Sequence, residues 1–208
     1  MRKILIVFWF TVLSFLSISC YREEPNFGPI GSSDKDWAVS SAVMSLKTID
    51  ARRASFSDHL TPEEKCQFVN IRFNNFIRDF KLDEEQIEII DKLREFLKPE
   101  VYKEGSSLNF KAKEFINTWE EKAKNAFSDE QLSYMFSFNT LKEFNELKSM
   151  SIENEGLNDC DCATKSDYCS GGKDCKVSLC VIDTYSCGTL FLFHCDGLCE
   201  GTTPIVVD

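Results

Sequence analysis

Eight of the chain's ten cysteines fall between Cys160 and Cys199. They are Cys160, Cys162, Cys169, Cys175, Cys180, Cys187, Cys195 and Cys199. A segment this short cannot hold a fold by apolar burial alone, and its cysteine density is that of a disulfide scaffold. Closing the thiols into four bridges supplies about 2–4 kcal/mol each in the loop-entropy model. It also requires an oxidising compartment. Eight cysteines allow on the order of a hundred pairings, and spacing excludes little beyond Cys160 with Cys162, whose ring would be strained. Structural zinc favours Cys-x-x-Cys knuckles or Cys/His sets. This stretch has no such knuckle, and His194 is its lone histidine, so neither metal nor cofactor is expected.

The other end of the sequence supplies the matching compartment. Met1-Arg2-Lys3 is a basic start, and Ile4 to Ile18 is an uncharged apolar run. The run is about 15 residues long, a signal-peptide core rather than a membrane span. Ser17-Ile18-Ser19 puts small residues where a signal peptidase reads, so cleavage after Ser19 leaves Cys20 first. Cys20 is then positioned as the lipid-bearing residue of a lipoprotein, although the favoured Leu stands one place early, at Leu16. Tyr21 to Ser33, with Pro25, Gly28, Pro29 and Gly31, reads as a tether. The expected organisation is a signal peptide over 1–19, a linker over 20–35, a helical domain over 36–153 and a cysteine-rich module over 154–208. The expected localisation is the cell envelope or the exterior.

The middle of the chain has helical periodicity. Trp37, Val39, Val43, Leu46 and Ile49 make a first stripe. Thr61-Pro62-Glu63-Glu64 opens a helix with a cap, a proline at the first turn and a capping-box acid. Its face is Val69, Phe73, Phe76, Ile77 and Phe80. Asp83 to Gln86 and Ser128 to Gln131 repeat that opening, and Pro99 should stop the helix between them. Phe110, Phe115, Ile116, Trp119, Ala123 and Phe127 form another stripe. The fold class expected is mainly α, a bundle of four to six helices followed by a small disulfide-rich module with short strands. In that module Val181-Ile182 and Leu190-Phe191-Leu192-Phe193 suggest strands, with turns at Gly188 and Gly197. Leu190 to Phe193 is apolar in a module with little room to bury it. It offers a contact patch for a partner, or it packs on the helical body.

Chemistry is scarce. The acidic clusters at Glu63-Glu64 and Asp83 to Glu85 sit in first helical turns, where they complement the macrodipole. Cys66 stands alone in a helix and reads as a small apolar residue rather than a nucleophile. His59 and His194 belong to no catalytic motif, and no enzyme is expected. The formal net charge of −10 opposes nucleic-acid binding. Between Cys160 and Cys199 there are three Lys against five Asp, so the module is not a cationic membrane-attacking type.

The string Cys160-Asp161-Cys162-Ala163-Thr164-Lys165-Ser166-Asp167-Tyr168-Cys169, with Cys187-Gly188-Thr189 and Cys195 after it, resembles the bacteriocin fulvocin C-related family. Leu60-Thr61-Pro62-Glu63-Glu64-Lys65 is similar to its longer members. The resemblance implies a bacteriocin-like exported protein whose module carries antibacterial or partner-binding activity, against a receptor or surface protein on a target cell. A non-toxic surface-binding or structural lipoprotein is the alternative. A polar boundary from Asn154 to Asp159 suggests that body and module fold separately.

Overall fold

The computed structural model describes residues 34–149, 160–166, 168–169, 173–180 and 183–199. The signal segment, Cys20, the tether before Asp34, the 154–159 boundary and Val181-Ile182 lie outside the described residues. Among the described residues seven α-helices precede four short strands: α1 Asp34–Met44, α2 Ile49–Ala54, α3 Pro62–Phe80, α4 Glu84–Arg94, α5 Ser107–Ala126, α6 Asp129–Met135 and α7 Leu141–Ser149, then β1 Cys175–Val177, β2 Asp183–Cys187, β3 Phe193–Cys195 and β4 Gly197–Cys199.

Three helices begin where cap chemistry dictates. Thr61 accepts from the Glu64 amide while the Glu64 carboxylate accepts from the Thr61 amide, and Asp83 with Gln86 and Ser128 with Gln131 repeat the pair. Helix α4 ends at Arg94, and Lys98 before Pro99 is extended, as a residue preceding proline must largely be. His59 lies in a short π-turn, Ser55–His59, leading to the Thr61 cap.

Seven helices stand where four to six were expected, because two stripes are interrupted by caps. Thr48 accepts from the Ala51 amide and starts α2, dividing the first stripe. Thr140 pairs reciprocally with Glu143 and starts α7, dividing the stripe of Leu132, Met135, Phe136, Leu141, Phe144 and Leu147 that follows the Ser128 cap. Two aromatic assignments also change. Trp37 is 48% exposed and Phe110 65%. On α5 the buried face runs Ala112, Ile116, Trp119 and Ala123, and Phe110 falls on the opposite side of the 3.6-residue period.

Two buried arginines fix the turn between α6 and α7. Arg52 donates to the carbonyls of Leu46 and Phe138 and forms a two-bonded pair with Glu143. Arg72 donates to the carbonyls of Tyr134 and Asn139 and lies over the Tyr134 ring. Carbonyls that a helix end would leave bare are thereby satisfied.

In the module β1 pairs antiparallel with β4, and β2 with β3. The stretch from Asp161 to Thr164 is stitched to the β3–β4 corner. The amides of Asp161 and Cys162 donate to Gly197 O, and the Thr164 amide and hydroxyl donate to the Asp196 carboxylate. Gly197 lies so close to β1 that a Cβ there would sit 2.6 Å from Cys175 Sγ.

Body and module share one core. The described residues fall in one compact unit, and their buried cluster includes Val43, Phe138 and Leu198 together. This shared core speaks against two separately folding halves. A module this small cannot bury Leu190 to Phe193 internally, and the bundle has a place for them.

Candidate functional site

The join between the two parts is built around Phe191. Leu190, Phe191, Leu192 and Phe193 are all buried, so they are not an exposed contact patch. Of the two readings left open, packing on the helical body is the one observed. Phe191 enters a ring cluster with Phe138, Phe56 and Phe68 at centroid distances of 4.6, 5.3 and 6.3 Å. The Tyr102 hydroxyl donates to Leu190 O. Leu190 and Phe191 take positive φ, 57° and 55°. L-residues adopt this only at a cost of about 1–2 kcal/mol each, which the burial of Phe191 offsets. Gly188, at φ 70°, turns the chain into this insertion, and a Cβ there would meet Ser166 Cβ at 2.6 Å.

A polar latch lies beside the aromatic plug. The Ser166 and Thr189 hydroxyls both donate to Glu120 Oε1 on α5, and the Thr189 amide donates to Ser166 Oγ. The Tyr168 hydroxyl pairs with Thr189 Oγ1. Burial, with Glu120 nearby, holds the Tyr168 phenol well above its ordinary range. The two hydroxyl bonds to Glu120 join module to body, and the other two brace those hydroxyls within the module.

The eight module cysteines pair as Cys160–Cys180, Cys162–Cys175, Cys169–Cys199 and Cys187–Cys195. The sulfurs of Cys162, Cys169 and Cys175 lie within 4.8 Å of one another. That spacing would suit a metal if they were thiolates, but each is already bonded to sulfur. Cys66 is partly buried, and burial followed by Glu63 and Glu100 pushes its thiol up to about 12. A thiol held protonated in this way is a poor nucleophile. His194 is exposed in β3.

A cleft of about 450 Å³ lies between the two parts. Its body wall comes from α2 and from α6 with the following turn, through Asp50, Arg53, Ser133, Phe136 and Asn139. Its module wall includes Asp161, Ser166 and Tyr168, with one or both cysteines of three disulfides. Phe136 and Tyr168 meet across the join at 4.6 Å. Arg53 donates to Asp161 O at 2.7 Å and stands 3.5 Å from the Asp50 carboxylate. The Asp161 carboxyl is raised by burial, against the opposing pull of the Cys199 amide and Arg53. None of Glu120, Arg53, Ser133 or Asn139 was marked by sequence pattern. Each is an ordinary helix or turn residue until the module is docked beside it.

No protein-family model, curated protein or solved structure matches the chain. The disulfides mark it as an extracellular or exported protein. Among the described residues no helix is long and apolar enough to cross a membrane.

Proposed function

We propose that the chain is an exported, surface-held binding protein, anchored through lipid on Cys20, in which the disulfide module is a fixed recognition head and not a released toxin. The observation that carries this reading is the seat of Phe191 among Phe56, Phe68 and Phe138. Releasing the module would expose that cluster and strip the Ser166 and Thr189 hydroxyls from Glu120. The cleft at the join supports binding over purely structural service, since its size lies in the usual range for ligand sites. The acidic charge favours a protein or small-molecule partner over nucleic acid.

The Cys160 to Cys169 string supports antibacterial action as a second reading, in which the intact chain acts on a receptor of the target cell. No catalytic role is proposed for Cys66, whose thiol is held protonated by burial and by Glu63 and Glu100.

Intact mass measurement of the native protein, after separating membrane from soluble fractions, tests the first reading. It should give one membrane-bound species starting at lipidated Cys20 and retaining the module. Cys20→Ser should shift the protein to the soluble fraction. Recovery of the module as a separate processed species would overturn the fixed-head reading, and unchanged membrane binding of the Cys20→Ser variant would overturn the anchor.

A further inference from the structure

We infer that the cleft between α2, the α6–α7 turn and the module binds a neutral saccharide; this rests on the binding-protein reading and gives it a ligand class. The argument begins with what the cleft leaves unused. Its charged groups already engage one another and the backbone. Arg53 spans the Asp50 carboxylate and the Asp161 carbonyl, while the Asp161 carboxylate accepts from the Cys199 amide and lies near Arg53. A charged ligand would have to break these pairs, and doing so in a half-buried setting is costly.

Two neutral groups remain. Ser133 is only 8% exposed, yet among the described residues its hydroxyl has no hydrogen-bond partner. The Asn139 side-chain amide, in the turn pinned by Arg72, likewise has none among the described residues, although its own carbonyl is taken by Arg72. Neither atom is sealed off from the cleft, so both are open to a ligand. A hydroxyl and a carboxamide each both donate and accept. Their natural complement is a ligand that does both while carrying no charge. Sugar hydroxyls meet that description.

The rest of the lining fits the other face of a sugar. Phe136, Tyr168 and the disulfide sulfurs give apolar surface beside the polar groups, against which the C–H face of a pyranose packs. The cleft of about 450 Å³ is within the range of small-ligand sites. Because its module wall is held by the Cys162–Cys175, Cys169–Cys199 and Cys187–Cys195 bonds, the site exists only in the oxidised protein.

The test uses the full oxidised chain and saturation-transfer NMR with glucose, galactose, N-acetylglucosamine, maltose and N,N′-diacetylchitobiose. Tetra-alanine serves as the peptide comparison. At least one saccharide should give saturation transfer. Ser133→Ala and Asn139→Ala should each weaken it by about five- to tenfold, the loss of one or two hydrogen bonds. Both variants should melt no lower than the wild type, since neither group has a partner to lose. Ser133→Leu, which fills the cleft, should abolish transfer, as should reduction. The inference is overturned if no saccharide binds, if only tetra-alanine binds, or if a saccharide binds equally well to a folded Ser133→Leu variant. None of these outcomes bears on whether the module stays attached at the membrane, which the fractionation experiment decides separately.

Discussion

Truncating Phe191 to alanine should destabilise the helices, although Phe191 belongs to the module. The ring is 1% exposed and touches three phenylalanines, Phe56, Phe68 and Phe138, which come from the body. Removing a buried phenylalanine side chain costs about 3–5 kcal/mol. Alanine keeps the left-handed backbone at this position, so no strain is recovered. With a urea dependence of about 2 kcal/mol per molar, a loss of about 4 kcal/mol moves the midpoint down by about 2 M. The assay is urea unfolding of the oxidised protein, followed by helical circular dichroism and by Trp119 fluorescence. Trp119 is buried on α5 and donates to Ile89 O, far from the substitution in sequence. Both signals should shift together. Phe191→Gly should be about 1 kcal/mol less damaging, because glycine carries no Cβ penalty at positive φ. A helical midpoint displaced by less than about 0.5 kcal/mol would refute the shared core, and the two parts would then be independent.

Gly188→Ala should lower the melting temperature by several degrees and weaken the join, because its Cβ would be 2.6 Å from Ser166 Cβ and 2.9 Å from Phe193 Cδ2; differential scanning calorimetry measures this. The Glu143 carboxyl is pulled down to about 2, chiefly by its hydrogen bond from Arg52. Its folded value is below its unfolded one, so the stabilisation is complete above the ordinary carboxylate range. It is lost as pH falls from about 4.5 towards 2, and Glu143→Gln should flatten that part of a stability-against-pH curve. Cys66, with its thiol near 12, should resist iodoacetamide at pH 8 in the folded protein and react on unfolding, as peptide mass mapping would report. Reduction of the four disulfides should diminish the helical signal along with the module, because the plug depends on the Cys187–Cys195 loop.

What the sequence discloses here is what short-range chemistry writes. The caps at Thr61, Asp83 and Ser128 are each complete within four residues, and each appears where its residues stand. The disulfide scaffold is visible for the same reason, since density alone demands it. Helix count is harder, because Thr48 and Thr140 interrupt apolar stripes that otherwise read straight through. The destination of Leu190 to Phe193 depends on rings contributed by α3, by the turn before it and by the α6–α7 turn. No local pattern encodes that meeting. The cleft is less legible still, for its walls are distant segments and its working groups, Ser133 and Asn139, are unremarkable types in unremarkable places.

The ring cluster around Phe191 also sets an order of events in the life of the chain. Phe56 and Phe68 are made early, Phe138 later, and Phe191 last of the four. Until that stretch arrives and Cys187 has bonded to Cys195, the bundle has a hole where the Phe191 ring should be. Contacts of such high sequence separation close slowly, and a bundle lacking one remains loose. A newly made chain is thereby kept unfinished until its tail has crossed into an oxidising space, and a copy stranded among reductants never completes its core. Phe191, the last ring of this cluster to emerge, acts as a timer that links export to the onset of a rigid fold.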